Sequence, residues 1–224
     1  MALLEVRGLT RRYGEMTVLD GLDLDLEAGQ LLALVGRNGS GKSTALRCIV
    51  GTDQRTSGEV TLDGRPYDER ASWVRAAVAV VMDDLDFFPD LSVIEHLDLM
   101  AAAHGVADAE KTVDDVLDDL DLADQGDQLP HSLSSGQRRR LGLATGLVRP
   151  KRLLVLDEPE ARLDAEGRAW LVDRLRREKE AGVAVLLASH HPQLVEALAD
   201  HVVRLGEPDE HGEPGSSAQP RGSA

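Results

Sequence analysis

The chain is short of cysteine, of aromatic side chains and of positive charge. A single cysteine, Cys48, occurs among 224 residues, which excludes an internal disulfide and leaves one thiol expected to pack as a small apolar group. Phe, Trp and Tyr make up 3% of the sequence, and both phenylalanines fall together at Phe87-Phe88. Lys and Arg number 25 against 40 Asp and Glu, a formal charge of −15. That balance lacks the positive footprint that displaces counterions from a nucleic acid, so no nucleic-acid partner is expected. It equally opposes direct adsorption onto anionic lipid. No apolar run reaches the roughly 18 to 20 residues of a membrane span; the longest candidate, residues 74–82, is strand-sized. Met1-Ala2-Leu3-Leu4-Glu5 lacks the basic and apolar regions of a secretory leader. These absences predict a cytoplasmic protein whose association with a membrane would run through a protein partner.

What is present fits a globular domain: hydrophobic residues are 42% and charged residues 29% of the chain. Alternating apolar positions in Leu3-Leu4-Glu5-Val6-Arg7 and Leu22-Asp23-Leu24-Asp25-Leu26 read as paired strands, and 59–64 as another ending in a turn. Residues 76–82, 153–156 and 183–188 are nearly all apolar, as central parallel strands covered on two faces would be. Between them, Ser92-Val93-Ile94-Glu95 marks a capped helix start, and Val113, Val116, Leu117 and Leu120 keep helical spacing. A charged helix over about 165–181 joins the last two strands. The fold expected is α/β: a parallel-sheet core, an antiparallel β subdomain before it, and a helical insertion over about 84–148. One ordered domain covers 1–205. Residues 206–224 turn to Gly, Pro, Ser and acidic residues without periodicity, and are expected to be disordered.

The strongest motif is Gly36-Arg37-Asn38-Gly39-Ser40-Gly41-Lys42-Ser43-Thr44. It follows the apolar strand Leu31-Leu32-Ala33-Leu34-Val35 and opens an apolar helix, which is the context a phosphate-binding loop requires. The glycines let successive backbone N–H groups turn toward a β-phosphate, and the helix start adds its positive end. Lys42 is placed to bridge the β- and γ-phosphates, and Ser43 to set its hydroxyl on Mg²⁺. The pattern implies a nucleoside triphosphate.

Two further motifs extend the site. Asp157 and Glu158 end the strand 153–156; Asp157 can hold Mg²⁺, and Glu158 would then lie where it orients or deprotonates an attacking water. Leu133-Ser134-Ser135-Gly136-Gln137 precedes a helix, so its amides form a second anion site at a helix N-terminus. One domain cannot easily bring both phosphate readers onto one nucleotide. Two copies packed head to tail with C2 symmetry can, each completing the other's site.

These residues bring out a resemblance. Over about 3–205 the chain resembles the ATP-binding-cassette (ABC) ATPases, as a nucleotide-binding subunit of an ABC transporter. The resemblance implies ATP and Mg²⁺, and hydrolysis assisted by Lys42, Glu158 and the switch histidine His190, which follows a buried strand. It implies that Leu133, Ser134, Ser135, Gly136 and Gln137 act in trans as the signature, with Ser135 in place of a glycine. Tyr13 matches the aromatic that stacks on adenine, and Leu163-Asp164 the loop through which two cassettes communicate. A partner permease is implied, docking at the Phe87-Phe88 region, with the cassette held on the cytoplasmic face of the membrane. The run Leu91-Ser92-Val93-Ile94-Glu95-His96-Leu97 looks most like exporter subunits that serve ABC-2 permeases.

One position departs from the pattern. Where relatives place a glutamine that touches Mg²⁺ and water, the alignment of 87–93 puts Asp83. A carboxylate still suits Mg²⁺, yet an ionised one cannot donate a hydrogen bond. Two other readings share the motifs. A soluble ABC protein working on ribosomes or DNA would carry paired cassettes or long coiled coils, neither of which is seen. A hydrolysis-impaired regulatory cassette is suggested only by Asp83 and Ser135.

Overall fold

The computed structural model describes residues 2–206 and 219–220. Two long strands, β1 (Leu4–Tyr13) and β2 (Met16–Leu26), form an antiparallel hairpin. Then come β3 (Leu31–Val35), α1 (Lys42–Ile49), β4 (Ser57–Leu62), β5 (Arg65–Pro66), α2 (Ser72–Ala77) and β6 (Val78–Val81). Three helices follow: α3 (Val93–Ala103), α4 (Ala109–Asp119) and α5 (Ser135–Leu147). The chain ends its described course with β7 (Leu153–Asp157), α6 (Ala165–Glu180), β8 (Ala184–Ala188), α7 (Pro192–Leu198), β9 (His201–Arg204) and β10 (Gln219–Pro220).

Two sheets result. The antiparallel one has the order β2-β1-β4-β5. The larger has the order β10-β9-β3-β8-β7-β6, with β9, β3, β8, β7 and β6 parallel and β10 antiparallel at the edge. Strands β3 and β8 and residues 153–156 of β7 are apolar at every position because each face meets its own core. Leu32, Leu34, Leu153, Val155 and Leu186 face a core shared with α1 and the antiparallel sheet. Leu31, Ala33, Leu154, Leu156 and Val185 face one shared with the helices of the insertion and with α6 and α7. Period-two side-chain direction sorts a continuous apolar run onto both sides. The fold is the α/β architecture expected, with its antiparallel β subdomain and helical insertion.

Two expectations need amending. Ala76 and Ala77, expected in a strand, close α2 instead, and the strand begins at Val78. A uniformly apolar stretch carries no period to separate the last turn of a helix from the strand after it. The expected disorder of 206–224 falls largely outside the described residues; Gln219 and Pro220 pair with Val202 and His201 of β9. Among the described residues, no helix is long and apolar enough to cross a membrane. Ser92 caps α3 with a full capping box to Glu95, as its sequence predicts.

Candidate nucleotide site

Strand β3 delivers the chain into residues 36–41, and α1 starts at Lys42. Helix α1 begins without a side-chain cap, and no acidic residue stands in its first turn. Its first N–H groups therefore lack the partner that capping would give, and the positive end of the helix stays open to an anion. Gly41 has φ +94°, and a Cβ there would meet Val18 Cγ1 and the Val18 carbonyl oxygen, both at 3.1 Å. Glycine is required on both counts. Behind the loop, the Ser40 N–H donates to the Arg37 carbonyl across 3.1 Å.

A cleft of about 590 Å³ opens at this loop, lined by Asn38, Gly39, Gly41, Lys42, Ser43 and Thr44 on one side. Glu158, His190, Asp83, Tyr13 and Met16 line the rest. Gly36, Arg37 and Ser40 shape the loop without lining the cleft. Buried Lys42 donates from Nζ to the carbonyls of Gly36, at 3.0 Å, and Arg37, at 3.4 Å. The same ammonium stands 3.3 Å from Glu158 Oε1.

The donor set suits a hard divalent cation. Ser43 Oγ donates to Asp157 Oδ1 across 3.1 Å, and Asp157 is 1% exposed. Burial pushes this carboxyl up; the Ser43 hydroxyl pulls it back, while the charges of Glu158 and Asp83 add to the rise. Among the described residues Asp157 has no ion pair, although the Arg47 charge acts on it and pulls its carboxyl down; a buried carboxylate and a hydroxyl converge here. Mg²⁺, which takes oxygen ligands and few protein groups, fits Ser43 and Asp157, with Asp83 on the same cleft wall.

Glu158 follows β7 with φ +47°, its N–H donating to the Ala188 carbonyl across 2.9 Å. The left-handed backbone costs an L-residue roughly 1–2 kcal/mol, and it turns the carboxylate onto Lys42 and His190. His190 Nδ1 bonds Glu158 Oε2, so the turns that follow β7 and β8 are joined side chain to side chain. The strained position lies on the cleft that the phosphate loop lines.

Tyr13 is 44% exposed at the mouth of the cleft. The guanidinium of Arg11 lies 4.1 Å from its ring centroid and also pairs with Asp53 at 2.7 Å. The Tyr13 hydroxyl bonds the other Asp53 oxygen, and this bond, with Arg11 beside it, holds the Asp53 carboxyl below its ordinary value. A base can stack only on the ring surface that Arg11 leaves open.

The signature lies elsewhere. Ser134 caps α5 in a capping box: its Oγ accepts from the Gln137 N–H at 3.2 Å, and Gln137 Oε1 accepts from the Ser134 N–H at 2.9 Å. Ser134, Gly136 and Gln137 line a 460 Å³ cleft with Leu163 and Asp164. A Cβ on Gly136 would stand 3.3 Å from the Arg162 carbonyl, so the two loops nearly touch. Leu163 is buried, while Asp164 caps α6 by accepting from the Gly167 N–H at 2.7 Å. Ser135 is the first residue of α5 and is absent from the left-handed region; serine fits there without strain. Leu133 and Ser135 line a third cleft with Asp83 and Phe87. None of the residues of the 460 Å³ cleft lines the phosphate-loop cleft.

Phe87 packs against the insertion core, edge-on to His96 at 5.5 Å between centroids. Phe88 is 56% exposed. Buried His96 fixes this turn: its Nε2 accepts from the Phe88 N–H at 3.0 Å, and its Nδ1 meets the Ser92 carbonyl at 2.8 Å.

Sequence reasoning missed two supports of the site. Arg139 is 4% exposed and donates to three carbonyls: Asp157 at 2.6 Å, Met82 at 3.2 Å and Pro159 at 3.2 Å. It ties α5 to the ends of β6 and β7, and burial pulls its pKa down. Nothing in Arg138-Arg139-Arg140 singles out the middle residue except helical phase. Glu160, also buried, accepts from the Ser189 hydroxyl, and Ser189 Oγ accepts from the His191 N–H at 3.0 Å. This links the turn after β7 to the turn that carries His190.

An open helix N-terminus, a hydroxyl–carboxylate pair and a strained glutamate, all at the carboxyl ends of parallel strands, define a P-loop nucleotide-binding domain. The ABC transporter family matches residues 19–161. The chain belongs to the ABC transporter family, in its class of ATP-binding ATPase subunits. It is 37% identical over 205 residues to the Nod factor export ATP-binding protein I of Cupriavidus metallidurans, covering 90% of this chain and 67% of that protein. It is 35% identical over 210 residues to the spermidine/putrescine import ATP-binding protein PotA of Nitrosospira multiformis, covering 90% of this chain and 56% of that one. The chain thus spans little more than half to two thirds of the length of these relatives. A solved ATP-binding subunit of an ABC transporter superposes with a TM-score of 0.84 at 27% identity, over 91% of this chain and 85% of the other.

Proposed function

We propose that the chain hydrolyses ATP as the motor of a membrane transporter: two cassettes close head to tail on two Mg-ATP, and reopening after hydrolysis drives a separate permease. The observation that carries this reading is the separation of the two phosphate readers. Lys42, Ser43, Glu158 and His190 line one cleft, whereas Ser134, Gly136 and Gln137 line another that shares no residue with it. A second copy supplies what each nucleotide lacks.

The residues divide the work as follows. Ser43 and Asp157 would hold Mg²⁺, which when bound would supply neutralisation of phosphate charge. Lys42 exchanges its carbonyl partners and Glu158 for phosphate oxygens. Glu158, freed of the ammonium, orients water and accepts its proton. His190 steadies that carboxylate through Nδ1 and presents the rest of its ring to the γ-phosphate side. Tyr13 stacks on adenine. Leu163 and Asp164 sit beside the signature, where closure of the dimer is felt first.

Permease docking through Phe88 would hold the cassette on the cytoplasmic face of the membrane. The exposed ring, backed by Phe87 and His96, suits an apolar anchor. Export is the direction we favour, on the resemblance of residues 91–97 to exporter subunits and the 37% identity to a Nod factor export protein. Affinity capture from detergent-solubilised native membranes, using Glu158→Gln with Mg-ATP, tests the transport reading. Recovery of a polytopic membrane protein supports it; recovery of ribosomes or DNA-bound proteins opposes it.

A further inference from the structure

Asp83 stands on the wall between two clefts. It lines the nucleotide cleft with Lys42, Ser43 and Glu158. It also lines a neighbouring cleft of about 640 Å³ with Arg139, Ser135 and Arg162. Its carboxylate is engaged on the second side, where Arg162 Nη1 donates to Asp83 Oδ1 across 2.9 Å. Both side chains remain half-exposed. Arg162 itself carries φ +65°, an expensive backbone for an arginine, and it directly precedes Leu163 and Asp164.

The charges explain why such a partner matters. Asp83, Asp157 and Glu158 place three carboxylates around a site for one divalent cation, and the charges of Asp83 and Glu158 already push Asp157 up. The Lys42 ammonium compensates Glu158; Arg162 compensates Asp83. Phosphate draws Lys42 away, but nothing in the nucleotide replaces Arg162.

We propose that Arg162 is a positioning residue for the metal centre, holding Asp83 toward the 640 Å³ cleft in competition with Mg²⁺. Metal loading and release of the 162–164 turn are then one linked event, because Asp83 cannot satisfy both cations at full strength. The turn that touches the second cassette is set by the metal, and the chain needs more Mg²⁺ than it would without Arg162. This rests on the nucleotide reading above.

The test uses Mn²⁺ as the probe, followed by electron paramagnetic resonance with ATP in the Glu158→Gln chain, where turnover does not interfere. Arg162→Gly removes the guanidinium and also relieves the left-handed backbone, so loss of fold is not the expected result; thermal denaturation checks this. With Asp83 intact, Arg162→Gly should tighten Mn²⁺ about two- to five-fold, the range of an exposed ion pair. With Asp83→Asn, the same change should leave Mn²⁺ affinity unaltered. An equal shift in both backgrounds, or none with Asp83 intact, overturns the proposal. Absence of Mn²⁺–ATP binding in all four chains overturns the nucleotide reading itself and the inference with it.

Discussion

Lys42 Nζ stands 3.3 Å from Glu158 Oε1, so the ammonium of the glycine-rich loop and the candidate base neutralise each other. Ground-state pairing of this kind keeps two otherwise costly groups in a largely buried cleft. It also makes release of the base depend on occupation of the loop by phosphate.

The first prediction follows from that pair. Glu158→Gln removes the proton acceptor while preserving shape and most hydrogen bonds. ATP turnover should fall about 10²- to 10⁴-fold, with ATP affinity held within a few-fold. Steady-state ATPase rates and equilibrium binding of a fluorescent ATP analogue check the two halves separately.

Arg139 offers a stability test away from the nucleotide. Its guanidinium serves three carbonyls, two of them in buried contacts, and Arg139→Met would remove that donor from all three. A loss of about 2–4 kcal/mol is expected, seen as a thermal midpoint lower by roughly 5–15 °C. A shift of only a degree or two would mean that water replaces the guanidinium easily.

Glu160 gives a pH prediction with a definite sign. Burial pushes its carboxyl above the ordinary glutamate value, opposed by the Ser189 hydroxyl and aided by the Glu158 charge. With the folded pKa raised, the native state holds the proton longer than the unfolded chain does. Stability from this group is full below the unfolded pKa and is lost as pH rises through the folded one. Glu160→Gln should therefore melt higher than the parent near neutral pH, and the gap should close as pH falls toward the carboxylate range. Thermal melts across pH would contradict this if the gap widened in acid.

Ser135 and Phe88 are expected to be mild in isolation. Ser135→Gly should leave ATPase within about two-fold, because the helical backbone there already accepts serine. Phe88→Ala touches an exposed ring and should change stability by less than about 0.5 kcal/mol. Transport by the assembled permease should nevertheless be lost while ATPase of the isolated chain persists. Parallel loss of both activities would instead indicate misfolding.

Much of this molecule is readable from its residues because its motifs are local. The loop at 36–44 and the capping box at Ser92 are set by short-range geometry and were visible as spacing; the capping box at Ser134, equally local, was read only as a helix start. The central strands were visible as apolar runs for the same reason. Helix α2 was not, since its last residues Ala76-Ala77 pass into Val78 of β6 with no break in polarity. The long-range partners were equally hidden. Arg139 beneath β7, Glu160 under Ser189 and Arg162 on Asp83 join residues between 18 and 79 positions apart, and no spacing rule links such pairs.

The central claim is that two cassettes enclose the nucleotide. It is tested most directly by light scattering on the size-fractionated Glu158→Gln chain, with and without Mg-ATP. The account predicts a monomer alone, a doubling of mass with Mg-ATP, and no doubling when Ser134 is replaced by a bulky arginine. A chain that stays monomeric at saturating Mg-ATP, or whose dimer ignores the signature substitution, would contradict it.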